Sequence, residues 1–168
     1  MHLCYMSSVR TMTSLSPADH LALADLVHRY AAGVDDRDLD AVVALFAPDA
    51  TMTAPVDPGR APGTATHDGL DAITTALGAV HRLPVTVHAV VGTVFDAVSA
   101  DEATGRVACV AHHAFERDGG ARDDTWHVVY RDRYRRTDAG WRFASRVLEV
   151  RLRTAGDVRI VGTGVPQR

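Results

Sequence analysis

Apolar residues recur at helical spacing early in the chain and in two-residue alternation late in it. Leu23, Leu26, Val27, Tyr30, Ala31 and Val34 share one face of a 3.6-residue period. Ser16 can cap that helix, Pro17 suits its first position and Asp19 its first turn. Tyr30 therefore faces inward. The helix must stop near Val34, because a second one reads from Leu39 to Phe46, with Asp36 or Asp38 as its cap and Pro48 beyond it. "ATMTAP" reads as a short strand. "VDPGRAPGTATHDG" is rich in Pro and Gly and reads as loop. "HDGLDAITTALGAV" predicts a third short helix with Leu70, Ile73 and Leu77 inward.

After Pro84 the period changes. Four β-rich runs follow, at roughly 85–98, 104–117, 125–137 and 140–153, divided by "SADEATG", "DGGARDD" and "TDAG". This predicts an antiparallel meander. Helices first and strands afterwards predict an α+β fold, with three N-terminal helices packed on one face of a curved sheet. The expected domain is 16–153, with a disordered N-terminal tail at 1–15 and a tail or edge strand at 154–168.

Composition narrows the classes. The 168 residues suit one domain, and 46% hydrophobic with 23% charged residues is ordinary for a globule. A net charge of −3 gives no basic footprint for nucleic acid. All 18 basic residues are Arg, which excludes a lysine Schiff base. The two cysteines are too few for a disulfide framework, and Cys109 in "RVACVAHH" reads as a small buried thiol. No run approaches the length of a membrane-spanning helix, and "MHLCYMSSVRTMTSL" lacks the apolar stretch of a signal peptide. The expectation is a cytoplasmic protein that binds neither nucleic acid nor membrane.

The polar residues that do not fit a core carry the candidate chemistry. Of the aspartates in "GVDDRDLD", Asp36 and Asp38 can serve as cap and solvent contact. Asp35 sits at the C-terminal end of the first helix, where the macrodipole disfavours an anion. It follows Tyr30 by a little over one turn, so both side chains can approach one pocket. A plain surface turn residue is the alternative. His88, in "VTVHAVVGTVF", has apolar neighbours on both sides. It is either a buried neutral histidine with a satisfied hydrogen bond or a general base aimed by a carboxylate. Alternation sends His112 and His113 to opposite faces of their strand. Arg146, in "WRFASRVLEVRL", shares a face with Ala144 and Leu148 by strict alternation, opposite Trp141, Phe143 and Val147. Inside a cavity it needs an anion, for which Asp35 is a candidate. Arg151 and Arg153 read as solvent-facing. A metal site of His88, His112 and Asp35 ranks well below a metal-free reading, because no ligand-spacing motif supports it. No glycine-rich phosphate loop and no nucleophile motif is present.

The segments "LADLVHRYAAGVDDRDLDAVVALFAPDA", "GTATHDGLDAITTAL", "VTVHAVVG" and "YRDRYRRTDAGWRFASR" together resemble the SnoaL-like branch of the nuclear transport factor 2-like superfamily. The resemblance is nearest to the scytalone dehydratase, bile-acid 7α-dehydratase and lindane dehydrochlorinase group. It implies a cone-shaped α+β barrel, a strongly bent sheet wrapped around helices with a pocket inside. It implies an Asp–His dyad, which falls on Asp35 and His88. Tyr30 and Arg146 are the further site residues it implies, and His112 is a third, with His113 the alternative one residue on. The implied activity is that of a cofactor-independent lyase or isomerase, dehydratase-like, acting on a small hydrophobic hydroxylated substrate such as a steroid, polyketide or aromatic. The alternative is a non-catalytic ligand-binding or assembly subunit of the same fold. A homodimer or homotrimer is expected in either case, on an apolar outer sheet face to which Trp126, Trp141 and Tyr134 are assigned.

Overall fold

The computed structural model describes residues 14–57 and 61–161. Helix α1 (Pro17–Asp35) opens on a reciprocal cap. The Ser16 hydroxyl accepts from the Asp19 backbone N–H at 3.1 Å, and the Asp19 carboxylate accepts from the Ser16 N–H at 3.3 Å. The helix ends where the Asp38 N–H turns back to the Gly33 carbonyl at 2.9 Å and Arg37 takes a left-handed φ of 64°. Asp38 then caps helix α2 (Leu39–Val43) by accepting from the Ala41 N–H at 3.0 Å. The two helices cross closely enough that a Cβ on Gly33 would lie 2.7 Å from Val42 Cγ2, which is why a glycine stands there.

Six strands form one open mixed sheet: β1 (Phe46–Asp57), β2 (Ala61–Asp68), β3 (Val85–Ala97), β4 (Glu102–Arg117), β5 (Gly120–Thr137) and β6 (Gly140–Val158). Their order is β2-β1-β6-β5-β4-β3, with β1 parallel to β6 and every other pair antiparallel. Helix α3 (Gly69–Leu77) and a 3₁₀ turn (Val80–Arg82) link β2 to β3. The predicted α+β class and the meander of β3 to β6 are as expected from the pattern. Among the described residues no helix is long and apolar enough to cross a membrane.

Four local expectations are corrected. Helix α2 stops at Val43 rather than Phe46, because Phe46 pairs with Phe143 and the Leu45 carbonyl accepts the Phe143 N–H at 3.0 Å. Much of the expected Pro/Gly loop is strand β2. It pairs with β1 in the register Met52↔His67, and the Thr53 and Thr66 hydroxyls share a hydrogen bond of 2.9 Å. Strand β6 continues past residue 153, with Thr154 opposite Thr125 and Val158 opposite Ala121. Tyr134 and Trp141 are buried at 1% and 4% exposure, on the inner face rather than the outer one. The outer face instead exposes Val87, Val91, Val94 and Leu152. Positions 1–13 of the expected N-terminal tail, and residues 162–168, lie outside the described residues.

The core lies between the inner sheet face and the helices. Leu23, Val27 and Val34 of α1 pack with Val42, Ile73, Val107 and Phe143, all essentially inaccessible. Burying each such side chain stabilises by about 1.5–3 kcal/mol. Between α1, α3 and the far half of the sheet the packing opens into a cavity.

Candidate active site

Asp35 and His88 meet at the base of this cavity. Their elements bring them together, since α1 lies across β3 and the helix ends just where β3 begins. His88 Nδ1 lies 2.7 Å from Asp35 Oδ1, the His88 backbone N–H donates to Oδ2 at 2.7 Å, and the Thr86 hydroxyl donates to Oδ1 at 2.9 Å. Burial pushes the Asp35 carboxyl up. The ring and backbone hydrogen bonds of His88, its charge, and Thr86 together outweigh that and hold Asp35 below the usual carboxylate range. An ionised carboxylate only accepts, so the proton on the ring belongs on Nδ1. That leaves Nε2 as an acceptor on a ring that lines the cavity and is only 7% exposed. Asp38 is the cap of α2, Asp36 is exposed, and Asp35 is the carboxylate turned inward.

The cavity has a volume of about 540 Å³. Aliphatic side chains such as Val34, Met52, Leu77 and Leu148 make up most of its wall, with Tyr30, Trp126 and Tyr130. Tyr30 is buried, and its ring meets Phe46, Tyr130 and Phe143 edge-on.

Besides His88 and His67 of β2, the cavity is lined by His113, not His112. Along β4 the buried positions alternate through Ala103, Gly105, Val107, Cys109, Ala111 and His113, with Ala114 buried beyond them, which sets His112 on the opposite face. There His112 is 43% exposed and its Nδ1 bonds Asp123 Oδ2 at 2.6 Å. His113 stands edge-on to His88, with ring centres 5.8 Å apart. Its Nδ1 donates to the Asp124 carbonyl at 3.0 Å. Burial, and the nearby His88, push the His113 ring's proton affinity down against the pull of Asp124 and Asp123, so the ring is held neutral. The lower-ranked grouping of His88, His112 and Asp35 as metal ligands does not come together. His112 faces away from the other two, and among the described residues no cluster of three or more His, Cys, Asp or Glu is placed to hold a metal ion.

Arg146 is inside, but it does not border the cavity and its anion is not Asp35. In the β5–β6 ladder Arg133 faces Ser145 and Tyr134 faces Phe143, so Ala144 is skipped. This bulge reverses the alternation and puts Arg146 on the face of Phe143. Its Nε and Nη2 grip Asp132 at 2.9 and 2.7 Å, with both side chains fully buried. The guanidinium is stacked 4.1 Å from Tyr30, 4.3 Å from Tyr130 and 4.2 Å from Phe143. Burial works against the charge of Arg146, and Asp132 more than offsets it. Arg146 thus supports two tyrosines of the cavity wall from beneath. Arg153, expected in solvent, lines the cavity and is paired with Asp124 at 2.5 Å. Asp124 also accepts from the Trp126 indole at 2.9 Å.

Sequence reasoning missed Thr86 and Arg37. The Thr86 hydroxyl, 5% exposed, was detectable because it lies two residues before His88 and so shares its strand face. Arg37 gave no signal beyond a polar turn. Its role depends on the left-handed backbone that folds its side chain back over the end of α1.

Six strands in one open mixed sheet, packed on three helices around a mainly apolar cavity, define an α+β protein. The SnoaL-like domain model matches residues 16–147, and the chain belongs to that family. No curated protein matches it significantly. Among solved structures, a scytalone dehydratase-like protein from Novosphingobium aromaticivorans is 23% identical with a TM-score of 0.69, over 90% of this chain and 95% of that one. A hexachlorocyclohexane dehydrochlorinase, LinA type 2, is 20% identical with a TM-score of 0.71, over 88% and 96%. A protein described as having an NTF2-like, cystatin-like fold, also from Novosphingobium aromaticivorans, is 24% identical with a TM-score of 0.58, over 80% and 82%. At these identities the likeness establishes the fold.

Proposed function

We propose that this protein is a lyase or isomerase that needs no cofactor, with His88 as its general base. The observation that carries the reading is the 2.7 Å contact between His88 Nδ1 and Asp35, on a ring whose other nitrogen is left to an apolar cavity. A base held by a carboxylate is more than a binding pocket requires. Asp35 fixes the tautomer and stabilises the imidazolium that forms when Nε2 takes a proton. In a dehydration, His88 Nε2 removes a proton from carbon next to an electron-withdrawing group, and the hydroxide leaving the neighbouring carbon takes a proton back from the imidazolium so formed and departs as water. Tyr30 is the hydroxyl on the cavity wall suited to donate to the departing or developing oxygen. His113, held neutral with its Nδ1 proton engaged, is an acceptor for a substrate hydroxyl. Two of the similar structures are described as a scytalone dehydratase-like protein and a hexachlorocyclohexane dehydrochlorinase, names that denote eliminations, which supports this class of reaction here.

General acid–base catalysis of this kind is worth about a hundred- to ten-thousandfold. Turnover found by screening neutral hydroxylated ring compounds should therefore fall by at least about a hundredfold in His88→Ala and in Asp35→Asn, with the thermal midpoint little changed. Ligand binding without turnover by the unaltered protein would assign the fold to binding or assembly instead, and full activity in both variants would remove His88 and Asp35 from the chemistry.

A further inference from the structure

Behind Asp35 lies a second layer of hydrogen bonds that the proposed chemistry does not use. The Arg37 guanidinium donates through Nη1 to the Thr86 hydroxyl at 2.7 Å and to the carbonyls of Val34 and Asp35 at 2.8 and 3.0 Å, and through Nη2 to the Leu83 carbonyl at 2.8 Å. A guanidinium has donors only. The Thr86 oxygen must therefore accept from Arg37, and its one proton is directed to Asp35 Oδ1, 2.9 Å away. Oδ1 then holds two donors, Thr86 and the His88 ring, while Oδ2 holds the His88 backbone N–H. The carboxylate can neither rotate nor carry a proton toward Thr86. To place its fork here, Arg37 adopts a φ of 64°, which residues with side chains adopt rarely.

We propose that Arg37 and Thr86 are positioning residues: through this relay they fix the orientation and ionisation of Asp35, and so the tautomer and basicity of His88. The inference rests on the reading of His88 as a base, and its test needs no substrate. The groups around His88 that bear on its titration are Asp35 and Tyr30 from α1, Arg37 from the following turn, His113 from β4, and His81 from the 3₁₀ turn, which feels the charge of Arg37. Thr86 and Arg37 both dilute the negative charge that Asp35 presents. Removing either should leave the imidazolium better stabilised and raise the pH at which His88 titrates.

The experiment is a pH titration of the histidine ring nitrogens by ¹⁵N NMR on the full chain. In the unaltered protein His88 should carry its neutral-form proton on Nδ1. Thr86→Val, nearly the same shape without the donor, should increase the proton affinity of His88 about fivefold, the weight of one net hydrogen bond. Thr86→Ser should titrate like the unaltered protein. Arg37→Gly, which relieves the left-handed backbone while removing the fork, should shift the midpoint in the same direction as Thr86→Val. An unchanged midpoint in Thr86→Val, or the same shift in Thr86→Ser, overturns the relay and leaves the base reading standing. A neutral-form proton found on Nε2 in the unaltered protein overturns the base reading itself, and the relay with it.

Discussion

His113 shows how the cavity acts on a single ionisable group. The residue is 8% exposed, and burial first, then the neighbouring His88, lower its proton affinity from an ordinary value of 6.5. An unfolded chain therefore binds a proton that the folded chain refuses. Because the folded value is the lower one, the associated stability is complete above about pH 6.5 and is lost as the pH falls through the folded value. Urea midpoints should accordingly drop between pH 7.5 and 5.5. His113→Gln, which can still donate to the Asp124 carbonyl, should have a visibly flatter profile. A residual slope is expected from His81, which burial and Arg37 also lower. Asp35 and Asp123, depressed below 3.8, lose their contribution only in more acid solution and do not interfere. Identical slopes for His113→Gln and the parent would show that this ring is not held neutral by the fold.

At the scale of the element, strand β6 owes its inward arginine to one skipped residue. The Ala144 bulge turns Arg146 under Tyr30 and Tyr130, and Asp132 on β5 meets it, with the Tyr134 hydroxyl donating to the same carboxylate at 2.8 Å. Removing one partner leaves the other charge buried and uncompensated. Arg146→Met should therefore cost about 3–5 kcal/mol in urea unfolding, and Arg146→Met with Asp132→Leu should recover most of it. A loss below about 1 kcal/mol in the single variant would mean that water or another group takes the place of the guanidinium. The same bulge marks where the sequence ceases to be readable. Helix α1 was legible because its cap and its apolar face agree, and Asp35 and His88 were legible because neither suited its local position. Arg146 was misplaced because alternation carries no sign of an extra residue. The resemblance put His112 ahead of His113, and the local pattern could not correct it, because both faces of β4 are apolar, with Val107, Cys109 and Ala111 on one and Ala108 and Val110 on the other. Strand β2 was hidden by Pro62 and Gly63 and the Pro/Gly-rich stretch around it, and its pairing depends on β1, a partner that lies outside its own local pattern.

At the scale of the whole molecule, the sheet and helices enclose about 540 Å³ with few polar groups, a size suited to a ligand of one to a few rings. The charges in and beneath the wall of this space are largely cancelled within the protein. Arg153 is paired with Asp124, Arg146 is paired with Asp132 beneath the wall, Asp35 is covered by His88 and Thr86, and His113 is held neutral. A carboxylate entering such a cavity gives up its hydration without gaining an unengaged cation, at a cost of several kcal/mol. A hydroxyl loses far less, because the bare nitrogens of two imidazoles can accept its proton. The proposed substrate class therefore predicts a preference for neutral ligands over their carboxylated analogues. At a hundred times its dissociation constant a ligand stabilises the folded state by about 2.7 kcal/mol, which for a chain of this length raises the thermal midpoint by about 5–10 °C. In a thermal-shift series built on shared ring skeletons, hydroxylated members should give shifts of that size and the matching carboxylates little or none. The reverse ranking would mean that a cation in the cavity is available to substrate, and the neutral-substrate reading would be replaced by one for organic acids.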